Sequence, residues 1–207
     1  RLRMAIYHVV EWTAKTLVPL FDGRIVVTER LARDYGRGKH ALLVDGGITE
    51  QTVQRLFPLR KPDPDRKQFR MLCAGGLWPG NGVELLLDAM RMLDDPDIEL
   101  VFAGQGGRSR EAVEEMAKLD RRIIYAGHLD HGALFRLYES ADLLLNIRLT
   151  CRLNTAYLFP SKLLEYLATG KPVLSTAVAH AEREYGAYCF ILGEETADAL
   201  VDMIRRI

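Results

Sequence analysis

The sequence has no excess charge of either sign and no long apolar run. Lys plus Arg and Asp plus Glu each number 28 among 207 residues, so no global field attracts nucleic acid or a membrane surface. No apolar run approaches the roughly 20 residues that span a bilayer, and no secretory signal is present. The sequence therefore predicts no nucleic-acid partner, and any anion binding must be local.

Cysteine is also scarce. Cys73, Cys151 and Cys189 are odd in number and lack the close spacing of metal ligands. A reduced, cytoplasmic compartment is the simplest interpretation. The first residue is Arg1 and not Met, so the chain is expected to be a piece of something longer.

From Arg70 onward, short apolar runs alternate with amphipathic patterns. The runs are nearly continuous in hydrophobicity, as in strands buried on both faces of a parallel sheet: Arg70–Ala74, Ile98–Ala103, Arg122–Ala126, Asp142–Asn146, Pro172–Thr176 and Tyr188–Leu192. The predicted helices are Val83–Leu93, Arg110–Leu119, His131–Ser140, Ser161–Thr169 and Glu195–Ile207. Such an alternation builds right-handed βαβ units. We predict an α/β fold with a six-stranded parallel sheet and helices on both faces.

The first 48 residues show a different pattern. The predicted elements there are a helix, a strand, a short helix and a strand, at Met4–Val18, Arg24–Thr28, Arg30–Tyr35 and His40–Val44. Residues 49–69 are polar and Pro-rich, which is typical of a linker. We expect residues 1–48 to belong to a second domain, with apolar side chains of its first helix exposed unless a neighbour covers them: Ile6, Val9, Val10 and Leu17.

Two glycine-rich loops follow predicted strands. The first, Cys73-Ala-Gly-Gly-Leu-Trp-Pro-Gly-Asn-Gly82, leads into a helix whose free amides and positive dipole end attract anions. The second, Gly104-Gln-Gly-Gly107, fails as a dinucleotide fingerprint because Ser109 takes the place of the third glycine. In both loops the glycines fit either a close approach of a ligand to the backbone or a tight turn.

Two further segments carry candidate binding groups. In Ala126-Gly-His-Leu-Asp130, Gly127 and His128 suit a base held by main-chain bonds and packing, although a histidine in such a loop is often only exposed. A helix is predicted to start at Pro160 and Ser161. Lys162 adds a cation there, and Glu165 follows about 4.5 Å up the helix axis. A phosphate beside Lys162 and a ribose at Glu165 would fit, as would a solvated helix face.

Together these segments resemble a known family. The run Phe159–Val173, the first glycine loop, Phe102–Gly107, Gly127 and Leu137-Tyr138-x-x-Ala141-Asp142 are similar to the C-terminal, nucleotide-sugar-binding domain of family 4 glycosyltransferases, which have the GT-B fold. The stretch Arg24–Ile48 resembles the end of that family's N-terminal domain. The resemblance spans nearly the whole chain and implies a Rossmann-like sheet plus a remnant of a second Rossmann-like domain, the acceptor domain.

The resemblance implies transfer of a sugar from a nucleoside-diphosphate sugar to an acceptor with retention, in polysaccharide or glycolipid synthesis. The donor is a substrate, and neither a cofactor nor an essential metal is implied. The expected partners are the donor, a sugar or lipid-linked acceptor, and the missing N-terminal domain. Catalytic residues are expected partly in that domain, so the present part should be inactive alone. Any peripheral membrane contact would come through the missing part.

The residues predicted to bind the nucleotide sugar come from these loops and the resemblance together: Gly75, Gly76, Asn81, Gly82, Gly104, Gly127, His128, Ser161, Lys162, Leu164 and Glu165. Glu165 matches the second glutamate of the family's pair spaced eight apart, which holds the ribose. Ser161 and Lys162 match the diphosphate and sugar side of the family's pocket.

Three positions depart from the family pattern. Tyr157 stands where the first glutamate of the pair often stands, and the family's phosphate-binding Arg and Lys would fall at Gly76 and Asn81. A non-catalytic nucleotide-sugar-binding module is therefore one alternative to an enzyme of this kind. A nucleotide-sugar epimerase of the same fold is another, although Phe-Pro-Ser-Lys-x-x-Glu resembles the transferases more.

Overall fold

The predicted strands from residue 70 onward form one sheet in the computed structural model. The structure describes residues 2–35, 40–44, 46–57, 65–159, 161–178 and 180–207. The chain divides into two compact units. The smaller unit contains Arg1–Gly46 and Ala156–Phe159, and the larger unit contains Gly47–Thr155 and Pro160–Ile207.

The smaller unit follows the pattern predicted for the first 48 residues. Its elements are α1 (Leu2–Leu17), β1 (Gly23–Val26), α2 (Glu29–Tyr35) and β2 (His40–Leu43), and the two strands pair in parallel. Helix α1 exposes large apolar side chains, each between 53% and 67% accessible: Ile6, Val9, Val10, Trp12 and Leu17.

The larger unit contains a six-stranded sheet in the order β5-β4-β3-β6-β7-β8. Its strands are β3 (Phe69–Ala74), β4 (Ile98–Ala103), β5 (Ile123–Gly127), β6 (Leu143–Asn146), β7 (Val173–Thr176) and β8 (Phe190–Leu192). Every neighbouring pair is parallel. The predicted α/β fold with a parallel six-stranded sheet is thus confirmed, with strand ends shifted by a residue or two.

Helices cover both faces of this sheet, because successive side chains of its strands point to opposite sides. In β3, Met71 and Cys73 join one buried cluster, whereas Leu72 and Ala74 join the other. The helices of the larger unit are α3 (Glu50–Leu56), α4 (Val83–Met92), α5 (Gly107–Leu119), α6 (His131–Ser140), α7 (Ser161–Ala168), α8 (Ala181–Tyr185) and α9 (Ala197–Arg206).

Two short α-helices of the larger unit were not predicted. Helix α3 lies within the expected linker, where Thr49 caps it by accepting a hydrogen bond from the Thr52 amide and Leu56 is fully buried. The polar composition of this stretch predicted a linker, because a helix with a single buried side chain shows no apolar stripe in the sequence. Helix α8 is similarly short. The Pro-rich residues 58–64 of the expected linker, and Pro160, lie outside the described residues.

The strand order creates a crevice at one edge of the sheet. From β3 the chain moves outward to β4 and β5, then returns to place β6 on the other side of β3. At such a switch point the following loops diverge and leave room for a ligand at the carboxyl ends of the strands. Of the helices in the described residues, none combines the length and apolarity needed to cross a membrane.

Candidate functional site

A pocket of about 440 Å³ lies at the carboxyl ends of β3, β4 and β5. Its described lining comes from the strand ends, the loops that follow them, helix α6 and the first turn of α7. The lining residues are Ala74, Gly75, Gly76, Trp78, Ala103, Gly104, Gln105, His128, Leu129, His131, Leu134 and Lys162. The pocket is therefore concave, polar at several points and built mostly from loops.

Main-chain hydrogen bonds join the three loops that form the pocket. The Gly75 amide donates to the Ala103 carbonyl at 2.8 Å, and the Gly104 amide donates to the Gly127 carbonyl at 2.7 Å. These bonds continue the parallel pairing of β3, β4 and β5 past the strand ends. The loops are thus held side by side as one surface.

Some glycines of these loops are required by the protein itself. Gly104 has φ +146°, and a Cβ added there would lie 1.7 Å from the Gly75 carbonyl oxygen. Gly82 precedes α4 with φ +70°, and its added Cβ would meet the Ile147 side chain at 2.2 Å. For these two predicted site residues, the tight-turn interpretation is sufficient, and Gly82 does not line the pocket.

Gly75 and Gly127 are different. Both have positive φ, +144° and +72°, yet no described atom lies within 4 Å of an added Cβ at either position. The space beside their backbones is open, and Gly75 faces the pocket. A ligand can therefore approach the main chain closely at these two points.

Helix α7 is anchored to the end of β3 by Tyr166. Its buried hydroxyl accepts a hydrogen bond from the Ala74 amide at 2.9 Å and donates to the Ala74 carbonyl at 3.2 Å. Burial raises the pKa of Tyr166 far above its ordinary value, so the hydroxyl stays protonated and can donate. Because Ala74 lines the pocket, this contact sets the position of the first turn of α7 relative to the first glycine loop.

Lys162, Glu165 and Tyr138 form a hydrogen-bonded cluster beside the pocket. The Lys162 Nζ donates to Glu165 Oε2 at 2.8 Å and to the Tyr138 hydroxyl at 3.3 Å. Tyr138 in turn donates to Glu165 Oε2 at 3.1 Å. Burial, then the nearby Tyr166 and Glu165, raise the pKa of Tyr138 well above its usual range. Tyr138 is thus a neutral donor to the carboxylate.

Lys162 itself lines the pocket, whereas Glu165 does not. Their side chains are 23% and 29% exposed, so both can still be reached from solvent. Ser161 is exposed at the start of α7 and Leu164 is half-buried, and neither lines the pocket. Of the predicted binding residues, the structure brings five to the lining: Gly75, Gly76, Gly104, His128 and Lys162.

Asn81 supports the first glycine loop from behind. Its Nδ2 donates to the Gly76 carbonyl, and its Oδ1 accepts from Arg148 Nη1 at 2.8 Å. Arg148 follows β6 and is fixed by two main-chain bonds to the Thr176 hydroxyl, at 2.9 and 2.8 Å. Asn81, predicted to bind the nucleotide sugar, links the half-buried Arg148 to the loop, and it does not line the pocket.

Tyr157 belongs to the smaller unit, although it was expected within residues 70–207. Its hydroxyl donates to Asp34 and accepts from Arg30 Nε at 3.2 Å. The Arg30 guanidinium also lies 5.4 Å from the centre of the tyrosine ring. Both Tyr157 and Arg30 lower the pKa of Asp34 by hydrogen bonding to it.

Seven of the described lining residues were not predicted as binding residues from the sequence: Ala74, Trp78, Ala103, Gln105, Leu129, His131 and Leu134. Trp78 and Gln105 lie inside the two glycine loops, so their position next to recognised glycines was the available signal. His131 and Leu134 are on α6, and only the packing of that helix shows that they face the pocket.

The pocket carries little free positive charge. Among its described lining residues, Lys162 is the one Lys or Arg, and it is already paired with Glu165. Within the described part of the chain, no group of His, Cys, Asp and Glu could hold a metal ion. The groups that this described lining offers to an anion are Lys162 and the amides at the start of α7.

Comparison with known proteins identifies relatives of the larger unit. The family model described as "Glycosyl transferases group 1" matches residues 68–207. No curated protein sequence matches the chain.

Solved structures share its fold. HepE from Anabaena, in complex with UDP and glucose, has a TM-score of 0.69 at 16% identity over 93% of this chain and 57% of its own. Sucrose-phosphate synthase from Thermosynechococcus elongatus has a TM-score of 0.69 at 20% identity over 93% and 50%. WaaG, a glycosyltransferase involved in lipopolysaccharide biosynthesis, has a TM-score of 0.64 at 19% identity over 88% of this chain and 52% of its own. This chain thus spans about half the length of these structures.

Proposed function

Because this chain belongs to the group 1 glycosyl transferases, we propose that its larger unit binds a nucleoside-diphosphate sugar at the carboxyl edge of the sheet. The whole protein would transfer the sugar to an acceptor with retention of configuration. The proposed setting is cytoplasmic synthesis of a polysaccharide or glycolipid. We further propose that residues 1–48 are part of an acceptor-binding domain.

One observation carries this proposal: the open backbone at Gly75 lies in the same pocket as Lys162. The Gly75 amide is itself paired with the Ala103 carbonyl, so Gly75 provides space for a phosphate and the donors are Lys162 and the free amides of a helix's first turn, where the dipole also favours an anion. Lys162 lies in the first turn of α7. The diphosphate is therefore assigned to the space between the first glycine loop and the start of α7.

The nucleoside is assigned to one side of this diphosphate position, with the ribose between the base and the phosphates. Glu165 lies one turn along α7 from Lys162, where a carboxylate can accept hydrogen bonds from ribose hydroxyls. His128 and Leu129 line the pocket beyond β5 and offer a flat polar ring and an apolar contact for the base. The proposed pose thus runs from the β5 loop to the first glycine loop.

Two observations on relatives support a nucleotide-sugar ligand. The solved structures of HepE include complexes with UDP and with UDP-glucose. WaaG is a glycosyltransferase of lipopolysaccharide biosynthesis. Since these proteins are less than 25% identical to this chain, their ligands and pathways support the class of donor and acceptor and not a particular sugar.

Titration calorimetry with UDP, GDP and ADP tests nucleotide binding directly. We expect one of the three to bind to the chain and the other two to bind more weakly. Transfer activity is then measured on the full-length protein with a panel of sugar donors, and the anomeric configuration of the product is read by NMR. Failure of all three nucleotides to bind, or an inverted product, would contradict the proposal.

A nucleotide-sugar-binding module without catalysis is the second candidate. The pairing of Lys162 with Glu165 favours it, since the lining described here offers no other Lys or Arg to a diphosphate. Binding of a nucleotide sugar by the full-length protein, with neither transfer nor donor hydrolysis for any donor tested, would support this second candidate.

A further inference from the structure

Trp78 lies flat along the two glycine loops at the rim of the pocket. A Cβ added to Gly76 would meet its five-membered ring at 2.7–2.8 Å. Cβ atoms added to Gly106 and Gly107 would meet its six-membered ring at 3.0–3.3 Å. The indole therefore rests on three backbone positions that no larger residue can occupy without displacing it.

The loops hold this ring in place. The main-chain N–H of Asn81 donates to the Trp78 carbonyl at 2.9 Å. The main-chain N–H of Leu77, the residue before Trp78, donates to the Gln105 carbonyl at 3.0 Å. Yet 56% of Trp78 is exposed, and it lines the pocket. A large apolar surface that is rigidly supported and still open to a pocket is suited to contact with a ligand.

The position of Trp78 within the sheet indicates which part of a ligand it would meet. Neighbouring strands are about 4.8 Å apart, so the loops after β5 and β3 are separated by about 10 Å. The proposed pose places the base at the β5 loop and the diphosphate at Gly75 and Lys162. The Trp78 ring spans the loops after β3 and β4 and lines the same pocket as Gly75, so a group attached to the second phosphate at Gly75 can reach it.

We propose that Trp78 is a stacking platform for the sugar ring of the donor. A pyranose exposes C–H groups of slight positive charge on one face, which complement the negative face of an indole. This inference rests on the proposed function, since it requires a nucleoside-diphosphate sugar in this pocket. It makes Trp78 a residue that distinguishes the intact donor from the free nucleotide.

The experiment compares a nucleotide with its sugar conjugate. Calorimetry measures UDP and UDP-glucose, or GDP and GDP-mannose if the chain prefers guanine, against the wild type and Trp78→Ala. We expect the free nucleotide to bind both proteins within about twofold. The sugar nucleotide should bind Trp78→Ala about three- to tenfold more weakly, the range that aromatic stacking supplies. Trp78→Phe should retain most of the affinity.

Tyr188→Ala is the matched control, because this aromatic ring of the larger unit is 75% exposed and does not line the pocket. It should leave both affinities unchanged. Thermal melting of each variant reports whether it is folded. If Trp78→Ala does not fold, the comparison of nucleotide and sugar nucleotide is made with Trp78→Phe.

A second readout uses fluorescence. The chain has two tryptophans, so Trp12→Phe leaves Trp78 as the sole source of tryptophan fluorescence, and the sugar nucleotide should change that emission more than the nucleotide does. Equal losses for both ligands in Trp78→Ala, or no loss for either, would overturn the platform while leaving nucleotide binding intact. If the wild type binds no nucleotide, the proposed function itself fails, and the platform with it.

Discussion

Lys162 and Glu165 lie one turn apart on α7, and each already has the other as a partner. The ammonium group has three donors and the carboxylate about four acceptor positions. Two donors of Lys162 go to Glu165 and Tyr138, and both contacts to Glu165 use Oε2. Each group thus keeps hydrogen-bonding capacity for a ligand without breaking the pair.

We predict that Glu165→Ala weakens binding of the preferred nucleoside diphosphate about ten- to a hundredfold, because a charged hydrogen-bond partner typically contributes about 1.5–3 kcal/mol. The loss should be smaller for the 2′,3′-dideoxy analogue, which has no ribose hydroxyls to donate. Calorimetry on the full-length protein measures both. An unchanged affinity would show that Glu165 is a surface carboxylate with no part in nucleotide binding. The control is Glu115→Ala, at an exposed position on α5.

We predict that Lys162→Ala weakens binding of a diphosphate more than binding of the nucleoside, and more at low salt than at high salt. Removal of the ammonium group also leaves the Glu165 carboxylate unneutralised near the phosphates. The double variant Lys162→Ala/Glu165→Ala should therefore lose less than the sum of the single losses. Calorimetry at two ionic strengths tests this, with the exposed Lys118→Ala as the control. Strictly additive losses would show that the pair acts independently.

At the scale of elements, a chain of hydrogen bonds joins β7 to the first glycine loop. It runs from the Thr176 hydroxyl through the Arg148 backbone and side chain to Asn81, and from Asn81 to the Gly76 carbonyl. Arg148 thereby acts on the pocket through another residue.

We predict that Arg148→Ala weakens nucleotide binding roughly five- to tenfold, the effect of about one hydrogen bond at 1–1.5 kcal/mol. Asn81→Asp should do the same while keeping Arg148 paired, since a carboxylate cannot donate to the Gly76 carbonyl. Arg152→Ala removes the same charge from an exposed position of the same loop and should have no effect. Calorimetry distinguishes the three, and wild-type affinity in Asn81→Asp would contradict the positioning role.

At the scale of the molecule, the larger unit buries apolar clusters on both faces of its sheet. The three cysteines of this unit differ in solvent exposure: Cys73 is buried in β3, Cys189 is partly buried, and Cys151 is exposed. Burial raises the pKa of the Cys73 thiol to about 12 and also raises that of Cys189. Their reactivities should therefore report on the integrity of the whole sheet.

We predict that a thiol reagent at pH 8 labels Cys151 first, Cys189 more slowly and Cys73 only on unfolding. With its raised pKa, Cys73 remains the unreactive thiol throughout the neutral and mildly alkaline range, because the thiolate is the nucleophile. Mass spectrometry of peptides after timed labelling measures the order, and labelling in urea, where all three should react alike, is the control. Native labelling of Cys73 as fast as Cys151 would contradict the buried strand.

The sequence alone determined the strand–helix alternation and the sheet edge at which the loops meet, because buried parallel strands and glycine turns are patterns of local composition. It therefore placed Gly75, Gly104 and Lys162 at the pocket. Helix α3 was not predicted, since a helix with one buried leucine shows little hydrophobic periodicity along the sequence.

Only the tertiary structure decided which side chains pair. It brought Tyr138 to Glu165, Arg148 to Asn81 and the Trp78 ring onto glycines about 30 residues away. Contacts between separate elements depend on the order of the strands and the packing of the helices. They cannot be predicted from the spacing of residues along the chain.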